Sequence, residues 1–128
     1  MSSVPAVVNL TSSDRILQGA TYYRQFALVD GNSAAIDLST WVGAGKGVRC
    51  QLRQTASSAS IVATPTMTIV SPATGGKIGI LLGSDVTTAM GAVVGGVYDV
   101  ELFDGNTSPE TVERVVQGSW SIEAEVTR

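Results

Sequence analysis

Apolar and polar residues alternate with a period of two along most of this 128-residue chain. Successive side chains of a β-strand point to opposite faces, so the alternation predicts strands with one buried face. Three stretches show it most clearly, and we expect their apolar residues to face a core: Val48, Cys50 and Leu52; Tyr98, Val100 and Leu102; Trp120, Ile122, Ala124 and Val126. The pattern therefore predicts a mainly β protein.

Weaker strand signals fill the rest of the chain. They are short apolar or alternating runs at residues 7–10, 20–30, 34–39, 59–64, 66–70, 75–83 and 111–118. Residues 20–30 do not fit one alternation, which predicts a bulge or a strand half buried on both faces. The D-G-N sequence at residues 30–32 is typical of a turn, and Pro65 is expected to interrupt the strand pattern around it.

Residues 84–91 carry the one helix signal. Ser84 is suited to be the N-cap, Asp85 favours the positive helix start, and Gly91 favours its end. So short a helix is expected to be a connector. Seven or eight strands with short turns predict a single antiparallel immunoglobulin-like β-sandwich at residues 14–128, preceded by an N-terminal arm at residues 1–13. A small β-barrel is the alternative.

Composition excludes several classes of protein. Hydrophobic residues make up 44% and charged residues 15%, so a folded domain is expected. The net charge of −3, with only eight Lys and Arg, argues against nucleic acid as a partner. The longest stretch of low charge, residues 78–97, is interrupted by glycines and Asp85, so no membrane span is expected. The first ten residues lack the basic and apolar regions of a signal peptide.

The sequence contains no histidine, which removes the commonest general base and nitrogen metal ligand. A Ser-His-Asp or Cys-His arrangement is impossible, and a zinc site would need carboxylates and one thiol. We therefore expect no enzymatic activity, no cofactor and no metal. Cys50 is the only cysteine and excludes an intrachain disulfide. Its place in an alternating strand favours a small buried hydrophobe over a reactive thiol.

The remaining polar motifs have ordinary structural explanations. Asp99 and Glu101 share one strand face, as two catalytic carboxylates could, but acidic residues on a solvated face also keep a protein soluble. Asp30 and Asp104 each begin a D-G-N turn, which explains them without calcium. The G-A-G-K-G sequence at residues 43–47 lacks the spacing and the following helix of a phosphate-binding loop.

The order of four segments resembles a family of immunoglobulin-like domains in the tail tip and baseplate of tailed bacteriophages. It is similar to the N-terminal domain of the phage baseplate upper protein, which carries receptor-binding proteins. The segments span roughly residues 14–128 and read "YYRQFALVDGNSAAIDLSTW", "GVRCQLRQ", "GGKIGILLGSDVTTAMGAVVGGVYDVEL" and "VERVVQGSWSIEAEVTR". Family members that carry receptor-binding proteins continue past the V-T-R, whereas this sequence ends at Arg128, so we expect a standalone module.

The resemblance implies a non-enzymatic structural protein of the virion. Its expected place is the tail or baseplate, as a tail-tip component or fibre adaptor made in the host cytoplasm. Its expected partners are other virion proteins and further copies of itself in a trimer or ring. A capsid decoration protein is the alternative. A glycan-binding module is a further one, and it would need exposed aromatic residues such as Trp41 or Tyr23.

If the protein works through assembly, its strand faces and its arm are the contact surfaces. An arm rich in Ser, Val and Thr is suited to adding a strand to the sheet edge of a neighbour. The residues predicted to form the assembly surface are Val4, Val7, Val8 and Leu10 in the arm and Arg49, Arg53, Asp99 and Glu101 on the strands.

Overall fold

A computed structural model of the chain describes residues 5–91 and 94–126. These residues contain eight strands and one α-helix. The strands are Ala6–Val7 (β1), Ile16–Leu17 (β2), Tyr22–Ala27 (β3), Lys46–Arg53 (β4), Thr66–Ile69 (β5), Lys77–Leu82 (β6), Gly95–Asp104 (β7) and Thr111–Glu123 (β8). The helix, α1, comprises Ser84–Ala89 and connects β6 to β7. Three-residue 3₁₀ helices lie at Ser12–Asp14, Ser39–Trp41 and Ala73–Gly75.

The strands form two sheets that pack face to face. The larger sheet has the order β1-β8-β7-β4, with β2 also paired to β8, and the smaller sheet has the order β3-β6-β5. This arrangement confirms the predicted all-β sandwich with one short helix. The six longer strands pair antiparallel, as predicted.

The N-terminal strands pair differently from the rest. β1 and β2 both run parallel to β8, with Ala6 opposite Val116 and Ile16 opposite Ile122. Between them, Leu10 makes an isolated parallel bridge to Trp120. The N-terminal segment therefore follows one edge of β8 in the same direction as β8 itself. This parallel pairing is the one departure from the predicted antiparallel sandwich.

The core lies between the two sheets. Its largest fully buried side chains are Trp120, Leu10, Ile16, Leu38, Leu52, Ile78, Ile80, Leu82 and Leu102. The rings of Phe26 and Tyr98 stack across the two sheets with their centroids 6.3 Å apart. Two buried polar atoms find backbone partners: Trp120 Nε1 donates to the carbonyl of Arg53 at 3.1 Å, and the hydroxyl of Tyr98 donates to the carbonyl of Val8 at 2.6 Å. Burying these aromatic rings therefore leaves neither polar atom unpaired.

Most of the predicted core positions are confirmed. Cys50, Leu52, Tyr98, Val100, Leu102 and Trp120 are all buried, as are Ile78, Ile80 and Leu82 of β6. Ala124 and Val126 are the exceptions, because β8 ends at Glu123 and the residues beyond it have no strand to pair with. Val126 is 92% exposed. The predicted burial of these two residues is wrong.

β3 is more regular than its sequence predicts. All six of its residues pair with β6 in one register, so the predicted bulge is wrong. The alternation is hard to read because Arg24 lies on the inner side with Phe26, while apolar atoms of Tyr23 and Ala27 lie on the outer side. A bulge does occur elsewhere, opposite Val100 and Glu101 of β7.

Two predicted strands are loops instead. Residues 34–39 make a single bridge, between Ala35 and Val29, and then bury Leu38 before a 3₁₀ helix. Residues 59–64 likewise make one bridge, between Ala63 and Leu52, and β5 begins only after Pro65. Each segment buries one apolar residue, Leu38 or Ala63, in the core without a continuous partner strand, whereas Ile61 is exposed. Hydrophobicity in these segments therefore does not indicate a ladder of paired strands.

The helix anchors the chain that enters β3. Its N-cap is Gly83, and Ser84 is the first helical residue, so the predicted capping role of Ser84 is wrong. Thr87 is fully buried. Its hydroxyl donates to the carbonyl of Ala20 and accepts the N–H of Gly19, both at 3.0 Å. The connector thus also fixes the segment before β3.

Cys50 is buried in the core and forms no disulfide. Burial raises the pKa of its thiol to about 12, with a smaller contribution from the negative charge of Asp99. A thiol with that pKa stays protonated at neutral pH and is a poor nucleophile. The interpretation of Cys50 as a small buried hydrophobe is confirmed.

Candidate assembly surface

The four charged residues predicted for the assembly surface lie together on the outer face of the larger sheet. Arg49 and Arg53 come from β4, and Asp99 and Glu101 come from the neighbouring β7. The register places Arg49 directly opposite Glu101. These residues face outward because the residues that alternate with them are in the core. Those core residues are Cys50 and Leu52 of β4 and Tyr98, Val100 and Leu102 of β7.

Ion pairs connect this face across three strands. Arg49 Nε lies 3.0 Å from Glu101 Oε1, and Arg49 Nη2 lies 3.1 Å from Glu110 Oε1. Arg114 Nε of β8 lies 3.2 Å from Asp99 Oδ2. The pKa of Arg49 is raised, mainly by its hydrogen bond to Glu101, while desolvation acts to lower it. Because these side chains are substantially exposed, each pair is expected to contribute only about 0–1 kcal/mol to stability.

Arg53 has a different environment from Arg49. Its guanidinium donates to the carbonyl of Ser58 and to Oε1 of Gln51, both at 2.8 Å. Among the residues that the structure describes, it forms no ion pair. Arg53 is therefore the arginine of this face whose charge is not neutralised by direct contact with a carboxylate.

A shallow concavity of about 560 Å³ lies on this face. It is lined by Val7, Gln51, Arg53, Ala56, Val97, Asp99, Glu101, Arg114 and Gln117, among others. Charged and amide groups lie beside the exposed apolar side chains of Val7 and Val97. Such a mixed, open surface is suited to contact with another protein rather than to enclosing a small substrate.

Asp99 is the acidic group of this face whose pKa departs from its ordinary value. Burial raises the pKa, and the neighbouring charge of Glu101 raises it further, against the opposing effect of Arg114 and Arg53. A raised pKa in the folded state means that the folded protein binds this proton more tightly than the unfolded chain does. This carboxyl therefore favours folding more at pH values below its unfolded pKa, and the contribution is lost as the pH rises through its folded pKa.

We expect the side-chain carboxyl carbon of Asp99 to titrate above the ordinary aspartate range of about 3.9 when followed by nuclear magnetic resonance. Glu101→Gln removes the neighbouring negative charge and is expected to move the Asp99 midpoint back towards that range. Arg114→Gln is expected to move the midpoint further up. An Asp99 midpoint at or below the ordinary value would contradict the desolvation of this carboxyl.

The N-terminal part of the predicted surface divides into exposed and buried residues. Val4 lies outside the described residues. Val7 is 68% exposed, whereas Val8 is half-buried, and its carbonyl accepts the hydroxyl of Tyr98. Leu10 is fully buried, so its predicted place on the surface is wrong: the bridge to Trp120 carries its side chain into the core.

Close backbone contact holds this segment against its own domain. The N–H groups of Val8 and Leu10 donate to the carbonyls of Gln117 and Ser119 at 2.9 and 2.7 Å. A Cβ atom on Gly118 would lie only 2.0 Å from the carbonyl oxygen of Val8, so a glycine is required there for the close approach. In this structure the segment therefore adds strands to its own sheet.

The other candidate residues have structural roles. The carboxylates of Asp30 and Asp104 accept the N–H groups of Asn32 and Asn106 at 2.8 and 2.9 Å, which confirms the turn interpretation. The G-A-G-K-G sequence leads into β4, a strand. Within residues 5–91 and 94–126, no group of three or more Cys, Asp or Glu could hold a metal ion. No helix among them is long and apolar enough to cross a membrane.

Sequence reasoning missed three residues of this face: Glu110, Arg114 and Gln117. Arg114 and Gln117 are three positions apart, so an unbroken alternation would put them on opposite faces. The bulge in β8 moves them to the same side by inserting one extra residue, because Val115 and Val116 both point into the core. The adjacent valines were the available signal, since two consecutive apolar residues interrupt the alternation.

Comparison with models of known protein families found no match for this chain, and comparison with curated proteins found none either.

Proposed function

We propose that this chain is a non-enzymatic structural protein of a tailed-bacteriophage virion, acting as a tail or baseplate component that assembles through protein–protein contacts. The observation that carries the proposal is where the family-like segments fall. The first spans β3 and the loop after it, the second is β4, the third runs through β6, α1 and β7, and the fourth is most of β8. The segments that resemble the phage family thus fall on elements of one sandwich, with β5 between the second segment and the third.

The outer face of the larger sheet supports a role in assembly. Its carboxylates are engaged by arginines, as in the pairs of Arg49 with Glu101 and Arg114 with Asp99. Both carboxylates are therefore engaged in contacts within the protein's own surface rather than directed at an enclosed substrate. Together with the absence of histidine from the sequence, this favours contact surfaces over chemistry.

The aromatic residues do not favour the glycan-binding alternative. Tyr23 is 55% exposed, but Trp41 is partly buried and packs against the core. The two lie on different elements, β3 and a 3₁₀ helix. A sugar-binding platform would need several exposed rings on one surface.

Labelling of intact virions tests the proposal. An antibody against the purified chain, visualised with gold, is expected to mark the tail end of the phage whose genome encodes the protein. The same antibody absorbed with the purified chain serves as the control and should give no label. Gold over the head would overturn the tail assignment and favour a capsid decoration protein. Virions without specific label would overturn the structural role.

A further inference from the structure

The smaller sheet leaves one long strand edge without a partner. β3 pairs with β6 on one side, and no strand among the described residues pairs with it on the other. Its six residues contain no proline, no glycine and no bulge. Exposed edges of this kind present backbone donors and acceptors that can bind another strand.

The ladder identifies which backbone groups are free. The N–H of Leu28 donates to the carbonyl of Gly76, which continues the β3–β6 register by one pair. Antiparallel ladders alternate between hydrogen-bonded and non-bonded pairs, so the backbone groups of Tyr22, Arg24 and Phe26 also point towards β6. Those of Tyr23, Gln25 and Ala27 point away from it, towards the open edge. The side chains of these three residues are all exposed.

The other strand edges of the sandwich carry protection that β3 lacks. β5 has only four residues and begins directly after Pro65. The edge of β4 is covered at Leu52 by Val62 and Ala63, whose backbone groups bond to it. β8 is covered by the N-terminal segment at one end and carries Glu113, Arg114 and a bulge at the other. Natural proteins block sheet edges with such devices.

The outer face beside this edge is smooth and almost uncharged. Tyr23, Leu81 and Thr66 form one row across the sheet, and Gln25, Gly79 and Thr68 form the next. Lys77 is the one charged residue on this face, and it lies next to Ala27 at the end of β3. Arg24, the one charged residue of β3, lies on the inner side and pairs with Asp14 at 2.9 Å. No charge on the outer side of β3 therefore repels an incoming strand.

We propose that β3 pairs antiparallel with β3 of a second copy of this chain, with Gln25 on the two-fold axis. The two smaller sheets then form one continuous six-stranded sheet. Tyr23 of each copy lies opposite Ala27 of the other, and the two Gln25 residues face each other. Three bonded pairs supply about six hydrogen bonds between the copies. The inference does not rest on the phage assignment.

Charge selects this register over its neighbours. A register with Arg24 on the two-fold axis would place the arginines of the two copies directly opposite one another, which is unfavourable for like charges. Pairing about Phe26 would leave Tyr23 beyond the end of the partner strand and lose hydrogen bonds. Pairing about Gln25 places Arg24 opposite Phe26 of the partner, and Arg24 already lies over its own Phe26 ring at 5.7 Å. A cation over a second aromatic ring is a favourable contact.

Sedimentation equilibrium tests the pairing with two variants of Gln25. The wild-type chain is expected to have twice the mass of the monomer. Gln25→Pro removes an N–H that points away from β6, so the monomer should keep its fold while the edge is blocked. Gln25→Lys places two positive charges opposite each other and is expected to raise the dimer dissociation constant at least about tenfold. Circular dichroism checks that both variants remain folded.

Thr68→Lys is the matched control for charge. It adds the same charge to the same outer face, in the row of Gln25 but on β5, away from the β3 edge. It is expected to leave the dimer intact. A wild-type monomer at all concentrations, a trimer, or a dimer that survives both Gln25 variants would overturn the proposal.

Disulfide trapping tests the register itself. In a hydrogen-bonded antiparallel pair the two Cα atoms are about 5.5 Å apart, a distance that a disulfide can bridge. Gln25→Cys is therefore expected to form a covalent dimer on mild oxidation, and Thr68→Cys is not. Cys50 is buried and should not contribute. Equal trapping at both positions would overturn the Gln25-centred register.

Discussion

Replacing Trp120 with alanine is expected to lower the free energy of unfolding by about 3–5 kcal/mol. Trp120 is the largest fully buried side chain of the core, and its indole N–H donates to the carbonyl of Arg53. The substitution leaves a large cavity between the sheets and removes the hydrogen bond from the indole to that carbonyl. Urea denaturation followed by far-ultraviolet circular dichroism measures the loss.

Two further variants separate the contributions at Trp120. Trp120→Phe keeps most of the apolar contact but removes the N–H donor, so a smaller loss of about 1–3 kcal/mol is expected. Val112→Ala lies on the same strand, at a side chain that is 42% exposed, and should change stability by less than about 0.5 kcal/mol. A Trp120→Ala variant as stable as Val112→Ala would contradict the packing described above.

Leu10→Ala is expected to cost about 2–5 kcal/mol, although Leu10 lies in a segment that the sequence presents as an arm. Its side chain is fully buried, and its backbone bonds to β8 on both sides, through Ser119 and Ser121. Truncating it opens a cavity beside Trp120. The same denaturation experiment reports the change.

Val7→Ala provides the control for Leu10. Both residues belong to the segment that follows β8, but Val7 is 68% exposed and should lose less than about 0.5 kcal/mol. If both substitutions were neutral, the burial of Leu10 described above would be contradicted, and the N-terminal segment would not be part of the folded core in solution.

The face of each long strand could be predicted from the sequence because the period of two is a local property. In β4 and β7 each apolar residue alternates with a polar one, and the core positions Cys50, Leu52, Val100 and Leu102 follow directly. β3 was harder, since Arg24 occupies an inner position where it pairs with Asp14. An inward arginine needs a partner from another element, and nothing within β3 indicates where that partner lies.

Strand ends and long-range pairs could not be predicted, because they depend on what lies alongside. The alternation of β8 continues past Glu123 in the sequence, but no neighbouring strand extends that far, so Val126 is exposed. Leu10 is one apolar residue near polar neighbours, and its burial depends on a strand that follows about a hundred residues later. The side chain of Asn9 accepts the N–H of Ser119, 110 residues away.

For the candidate surface, sequence reasoning identified the residues of β4 and β7 but not their counterparts on β8. Arg49, Arg53, Asp99 and Glu101 share a face because both strands alternate without interruption. Arg114 joins them only because Val115 and Val116 are both buried at the bulge. A one-residue insertion in a ladder changes which face each later residue occupies. Two adjacent valines in a sequence do not by themselves show whether both are buried at a bulge or one of them faces solvent.

The parallel pairing of β1 with β8 determines how the domain responds to mechanical load. A force that draws the two ends of the described chain apart pulls these strands in opposite directions along their own axes. The hydrogen bonds between them are then loaded together, in shear, rather than opened one after another as in a hairpin peeled from its end. The bonds at Val8, Leu10 and Gln18 lie along this seam and share the load. The sandwich is therefore built to resist tension applied through its ends.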